Sequence, residues 1–249
     1  MRIPRFYLDQ PIECNTQLTL PEALHRHAVQ VLRSKIGDPI ILFNGRGGEF
    51  SARFEVVEKR RSEVAIETFD AVNRESALDL RVLIALIKPD KFDFAVQKAV
   101  ELGVHSIQPL ITQRSVINLK ASRLEKKMLH WQGVIVNACE QSGRTRVPEL
   151  LQPITLTDYL QSPAERARIS MLPEAEDALL IDKVTTQQCI DLLVGPEGGF
   201  TDEEVGEMKR GHVYSMQLGA RVLRAETAVI GGVTACQMYW GDFGSSQIG

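Results

Sequence analysis

The first seventy or so residues read as β-rich, with hydrophobic and polar positions alternating most clearly towards Phe69. Ile40–Phe43 reads as a strand, and the Asn44–Gly48 run (NGRGG) as the turn after it. Phe50–Val57 and Glu63–Phe69 alternate like half-buried strands, joined by a charged turn at Glu58–Arg61. Before them, Pro21–Leu32 reads as a helix, with Pro21 near its start, where a missing amide hydrogen costs little. Short strands with one helix predict a small β-barrel. The polar, unpatterned stretch Asp70–Leu78 marks a boundary, giving expected domains of residues 1–72 and 73–249.

Beyond the boundary the period changes. Leu80–Ile87 is an apolar strand, and Asp90–Leu102 an amphipathic helix stopped by Gly103. Val104–Ile111 is a strand and Ser122–Gln141 a long helix. Ala167–Leu172 and Cys189–Val194 read as short, largely apolar strands, which suit a parallel sheet buried on both faces. Thr201–Arg210 reads as a helix, Val213–Leu218 as a strand and Ala225–Trp240 as a final helix. Strands alternating with helices predict an α/β domain with a mostly parallel sheet.

The chain has 249 residues, enough for two cores. A net charge of -3 excludes a uniformly basic, nucleic-acid-coating protein but leaves room for a local basic face. Cys14, Cys139, Cys189 and Cys236 are widely spaced with no CxxC pair, so neither a metal site nor a disulfide framework is expected. The first ten residues lack an apolar signal core. The longest apolar run, Ala225–Trp240, is too short to span a bilayer and contains Glu226. A cytoplasmic protein with no membrane partner is expected.

In open parallel sheets, ligands bind beyond the carboxyl ends of the strands. Three such ends stand out: Met171–Glu174, Gly195–Phe200 and Gln217–Gly219. Gly195, Gly198 and Gly199 permit tight turns and close backbone approach. The helix behind them opens with Thr201-Asp-Glu-Glu204, a capping box. Phosphate loops leave that helix end electropositive for the anion, whereas three carboxylates crowd it here. No Lys-Ser or Lys-Thr follows the glycines, and the dinucleotide spacing is absent. The loop suits a ligand held by backbone hydrogen bonds and carrying little negative charge. S-adenosylmethionine, a phosphate-free sulfonium cation, meets that description; an ordinary strand-to-helix turn would show the same residues.

The stretch Gln217–Ala228 places Arg221, Arg224, Glu226 and Thr227 around the start of the last helix. Paired arginines can hold an RNA phosphate or steady an anionic base, and Glu226 is favoured in a first helical turn. A capping acid beside two solvated arginines fits equally well. The last helix carries small or apolar residues on nearly every face, including Gly231, Gly232 and Ala235, so it is either buried all round or an interface. Glu140–Arg144 ends the long helix as a polar cluster, either a pocket wall or a cap at Gly143. Arg2, Arg5, His25, His27, Arg33, Lys35, Lys88 and Lys91 are candidates for an RNA-facing stripe. No aromatic RNA-recognition motif is present, so stacking of bases on a sheet is not indicated.

Taken together, several motifs resemble one family. They are His27-Ala-Val-Gln-Val-Leu-Arg33 with Gly37-Asp38, Lys88, Gln97–Val104, Glu140–Arg144 with Pro148, Leu193–Phe200 and Leu218–Ala228. Spread in order over nearly the whole chain, they resemble the RsmE-type 16S rRNA (uracil-1498-N3)-methyltransferases of the SPOUT class. Departures are mild: Val222 stands for a usual Ile, Ala225 for a usual Thr and Thr201 for a usual Ser.

The resemblance implies a SPOUT-type C-terminal domain with a trefoil knot and an N-terminal PUA-like domain that helps dock RNA. It implies S-adenosylmethionine bent in the knot against Leu172, Pro173, Gly195, Pro196, Glu197, Gly198, Gly199, Gln217, Leu218, Gly219, Val222 and Leu223. It further implies a homodimer with the last helix at its interface, and the small ribosomal subunit as partner. For RNA contact the expected residues are Arg5, His27, Arg33, Lys88 and Arg144. The expected chemistry is direct transfer to a uracil N3, with Arg224 stabilising the developing anion and Glu226 as base or base-orienting acceptor. The base must leave its pairing to react. The alternatives are the same cofactor with another RNA position, or a non-catalytic RNA-binding assembly factor.

Overall fold

The computed structural model describes residues 3–115, 121–172 and 189–244. It divides into two compact units, Met1–Glu75 with Cys139–Val147, and Ser76–Ala138 with Pro148–Gly249.

In the first unit the chain forms β1 (Arg5–Tyr7), β2 (Gln17–Thr19), α1 (Glu22–His25) running on into a π-helical stretch (Arg26–Val31), β3 (Pro39–Phe43), β4 (Glu49–Val57) and β5 (Ser62–Asp70). The five strands lie in the order β1-β3-β4-β5-β2, with β1 parallel to β3 and the other pairs antiparallel. The two-residue period is physical: Ala52 and Phe54 of β4 and Val64 and Ile66 of β5 point into one apolar core with Phe6, Ile40 and Leu42. Their neighbours Ser51, Arg53 and Glu55 face out. In the turn before β4, Gly48 has φ +70, and a Cβ there would lie 2.4 Å from the Phe69 ring. Only glycine fits.

Buried ion pairs tie the Cys139–Val147 segment into this unit. Glu49 is bound by Arg5 and by Arg74, whose Nη1 is 3.0 Å from Oε2. Arg74 also donates to the Gly143 carbonyl and Arg5 to the Arg144 carbonyl. Glu75 accepts from Arg144 Nε at 2.8 Å and from the amides of Thr145 and Arg146. The Tyr7 amide donates to Glu140 Oε1 at 2.9 Å. Burial raises the Glu49 carboxyl, but hydrogen bonds from Arg74 and Arg5 outweigh it and hold the group below its usual range. Glu140, with fewer compensating partners, is raised by its burial.

The second unit contains β6 (Asp79–Ala85), α2 (Pro89–Glu101), β7 (Ser106–Ile111), α3 (Ala121–Ser142, its last residues counted with the first unit), β8 (Glu149–Leu150), β9 (Ile154–Thr155), α4 (Leu156–Gln161), β10 (Ala167–Met171), β11 (Cys189–Val194), α5 (Asp202–Arg210), β12 (Tyr214–Met216) and α6 (Ala225–Trp240). Its sheet runs β12-β10-β11-β6-β7-β8, with β9 also on β7, and every described pair is parallel. All five residues of β10 are buried, Arg168 and Ser170 among them, as expected of a strand covered on both faces. Helix α2 starts with Pro89 in its first turn and is followed by Gly103 at φ +87. Among the described residues no helix is long and apolar enough to cross a membrane.

The amino ends of the central strands carry a buried ionic cluster. Asp191, on β11, is 1% exposed and accepts from Arg81 Nε at 2.8 Å, Arg166 Nε at 2.6 Å and the Tyr159 hydroxyl at 2.7 Å. Arg166 also pairs with Asp79 at 2.6 Å. Replacing Asp191 with Ala strands two guanidiniums in a partly dry site, so the cost should be about 3–5 kcal/mol. Calorimetry should then show a Tm lowered by roughly 10 °C; an unchanged Tm would remove this cluster from the stability account.

Hydrogen bonds from Arg166 hold the Asp79 carboxyl below its usual value, against the opposing effect of burial. The folded state therefore binds that proton less tightly than the unfolded chain does. The resulting stability is fully present above the ordinary carboxylate pKa of about 4 and is lost as pH falls through the lowered value. Urea midpoints recorded between about pH 5 and pH 2 should fall more steeply for the wild type than for Asp79→Asn.

Candidate active site

The parallel register sets three strand ends level. Met171 at the end of β10 stands beside Val194 of β11 on one side and Met216 of β12 on the other. The Leu172 amide then donates to the Met216 carbonyl at 3.1 Å, holding the outgoing segments together. Beyond this row, the loop after β11, the loop after β12 and the first turn of α6 enclose about 660 Å³ of space open to solvent.

Most of the residues expected at a cofactor line this cavity: Leu172, Gly195, Pro196, Glu197, Gly199, Gln217, Leu218, Gly219, Val222 and Leu223. Gly198 does not line it; its carbonyl turns instead to Arg114, whose Nη1 donates at 2.7 Å. Pro173 lies outside the described residues. The cavity also has a floor, made by Met171, Val194, Phe200, Met216, Ala225 and Ala228. Met171, Phe200, Ala225 and Ala228 fall in the stretches singled out from the sequence; Val194 and Met216 read as strand residues, and the register shows that their ends meet Met171.

The glycine loop is shaped from both sides. A Cβ at Gly195 would lie 2.9 Å from the Phe200 ring, and the Gly199 amide closes a turn onto the Pro196 carbonyl at 2.8 Å. The capping box has both arms: the Glu204 amide reaches Thr201 Oγ1 at 3.2 Å, and the Thr201 amide reaches Glu204 Oε2 at 2.9 Å. The other Glu204 oxygen accepts from the Gln113 amide at 2.8 Å. Gln113 and Arg114 thus clamp the loop from the segment after β7. Their position just past a strand end was the one sequence signal that could have found them.

Helix α6 lies unusually close to the sheet. A Cβ at Gly232 would be 2.9 Å from Met171 Sδ and 3.0 Å from Leu192 Cδ2, and one at Gly231 would be 2.7 Å from Leu218 Cδ1. Val229, Val233 and Cys236 are fully buried, and burial pushes the Cys236 thiol up to about 12. The outer face of the same helix exposes Met238 and Tyr239.

Arg224 is the exposed residue preceding α6, and its carbonyl accepts the Ala228 amide at 2.8 Å. Glu226 is buried and pairs with Lys91 Nζ at 3.3 Å. Neither side chain lines the cavity, although Ala225 between them does. Of the expected RNA contacts, His27 and Arg33 are exposed on the first unit and Lys88 on the second. The Lys88 amide donates to Glu197 Oε1 at 3.4 Å. Arg5 and Arg144 carry no exposed charge, because both guanidiniums are buried in the ion pairs with Glu49 and Glu75. His25 is likewise buried rather than part of a stripe.

Among the described residues, the charged lining of the cavity consists of Glu197 and Arg221. The nearby start of α5 is already occupied by its own carboxylates. Such a site favours a ligand with apolar or planar surface and no phosphate group. Among the described residues no cluster of His, Cys, Asp or Glu could hold a metal ion.

Comparison with known proteins agrees with this geometry. The profile of the RNA methyltransferase domain matches residues 74–237, and that of the RNA methyltransferase PUA domain matches residues 20–67. The ribosomal RNA small subunit methyltransferase E of Rickettsia conorii is 34% identical, over 92% of this chain and 93% of its own. Its counterpart from Buchnera aphidicola of Schizaphis graminum is 31% identical, over 97% of this chain and 98% of its own. The crystal structure of the Neisseria gonorrhoeae enzyme of that name, bound to S-adenosyl methionine, is 36% identical and covers 97% of this chain and 100% of its own, with a TM-score of 0.89. Two domain matches in chain order, near-complete coverage and a shared fold leave one assignment: the chain belongs to the RNA methyltransferase family, in the group of the ribosomal RNA small subunit methyltransferases E.

Proposed function

We propose that this chain transfers a methyl group from S-adenosylmethionine to N3 of a uridine in 16S rRNA, at the position numbered uracil 1498 in the family's name. The observation that carries the cofactor assignment is the cavity at the ends of β10, β11 and β12. Its apolar floor and glycine-rich walls fit an adenosyl group, and the carboxylates opening α5 disfavour phosphorylated cofactors. Leu172, Gly195, Pro196, Glu197, Gly199, Gln217, Leu218, Gly219, Val222 and Leu223 would hold the cofactor. Once bound, it supplies an electrophilic methyl group.

Uracil N3 is protonated at neutral pH, so the protein has to favour loss of that proton. Arg224, exposed just before α6, is the residue assigned to stabilise negative charge developing on the base oxygens; its exposure leaves the guanidinium open to RNA. Glu226, held by Lys91, serves as proton acceptor or orients the base. Residues 1–72 act as the PUA-like RNA-docking domain and residues 73–249 as the methyltransferase domain. The last segment threads a trefoil knot, and two copies associate through α6, whose outer face exposes Met238 and Tyr239. The site of action is the cytoplasm, on the small ribosomal subunit. His27, Arg33 and Lys88 contribute exposed charge or hydrogen bonds to RNA, and Arg5 and Arg144 act by fixing the backbone of the first unit.

The direct test is methyl transfer from labelled cofactor to unmodified small subunits, followed by mass spectrometry of the nucleosides. The expected product is 3-methyluridine. Another methylated nucleoside would keep the cofactor and overturn the target, and absence of cofactor binding would favour an assembly factor. Arg224→Ala should lower kcat by about a hundredfold or more while leaving cofactor affinity unchanged. Full turnover in that variant would reassign the role.

A further inference from the structure

The first unit contains a second cleft, away from the features assigned so far. It lies between the β4–β5 turn and the α1/π-helical stretch, encloses about 1150 Å³ open to solvent, and is lined by Glu22, His25, Arg26, Lys59, Arg60 and Arg61 among others. The turn is closed by the Glu58 amide donating to the Arg61 carbonyl at 2.8 Å. His25 is 2% exposed and fixes the helix to the turn, with Nδ1 2.9 Å from Ser62 Oγ and Nε2 3.5 Å from the Lys59 carbonyl. The two walls are therefore held in one arrangement.

The charges are unevenly matched. Arg26 pairs with Glu22 at 2.8 Å on the same helical face, and Arg61 pairs with Glu63. Lys59 and Arg60 are exposed, and neither has an ion-pair partner among the described residues. Glu58 next to them is the one further acid in the turn. In a chain of net charge -3, two adjacent unmatched cations on a pinned turn form a local positive site. Among the described residues no Phe, Tyr or Trp lines the cleft, so they offer no platform for stacking a base.

We propose that this cleft is a phosphate-backbone docking site for the substrate RNA, with Lys59 and Arg60 each neutralising one phosphate. It rests on the RNA-methyltransferase reading and deepens it: the contact is sequence-independent and positions the RNA rather than reading it. Arg26 and Arg61, already paired, shape the walls.

The test is binding of in-vitro transcribed 16S rRNA over a series of salt concentrations, with K59Q, R60Q and the double variant. Each single substitution should reduce the slope of log affinity against log salt by about 1 and weaken binding by roughly tenfold at 0.1 M salt. The double variant should lose about 2 in slope. R53Q, removing an exposed arginine of the same unit that Glu67 already balances, should keep the wild-type slope. S-adenosylmethionine affinity and thermal melting should be unchanged in all four. Wild-type slopes in K59Q and R60Q, or an equal loss in R53Q, would overturn the proposal. A wild-type protein that binds cofactor but shows no salt-dependent affinity for 16S rRNA would overturn both the proposal and the RNA reading beneath it.

Discussion

The close seating of α6 on the ends of β10 and β11 is the constraint from which the site follows. A methyl group at Gly232 would crowd Met171 and Leu192, and one at Gly231 would push aside the tip of Leu218. Two consecutive glycines in the middle of a helix cost about 1 kcal/mol each relative to alanine. Close packing of the buried Val229, Val233 and Cys236 face offsets that cost. The consequence is local. The helix start is drawn down to the strand ends, Ala225 and Ala228 become part of the cavity, and the segment from Gln217 to Leu223 forms its wall.

The second unit keeps its polar and apolar chemistry at opposite ends of the sheet. The amino ends hold Asp79, Asp191, Arg81 and Arg166 in mutual compensation. The carboxyl ends are finished with Met171, Val194 and Met216, and the start of α5 is capped by its own Thr201 and Glu204. A ligand entering there meets apolar surface and glycine backbone rather than a field made for phosphate. Gln113 and Arg114 fix the glycine loop from outside, so its shape depends on a segment that lies mostly away from the ligand.

What could be read from the sequence was set by length and by locality. The long periodic elements were legible: α6 spans Ala225–Trp240 and β11 spans Cys189–Val194, as their patterns predict. The strands β1, β2, β8 and β9 have three residues or fewer and carry no period to detect. Helix α4 is also short, yet Thr155 caps it by accepting the Asp158 amide, a local signal that was present. At the site, the glycine loops announced themselves through composition, whereas the floor depends on register between strands far apart in sequence. Arg5 and Arg144 read as surface charge because their acids, Glu49 and Glu75, come from distant positions.

Affinity for S-adenosylmethionine in Gly231→Ala, measured by calorimetry beside the wild type, tests the link between helix packing and cofactor site most directly. The new methyl group would press on Leu218 Cδ1, the flexible tip of a cavity-lining side chain, and not on backbone. Alanine also favours the helix, so thermal stability should hold or rise. The account predicts cofactor binding weakened about tenfold, roughly 1.4 kcal/mol, with the fold intact. Wild-type affinity in a well-folded Gly231→Ala protein would contradict it and place the cofactor elsewhere.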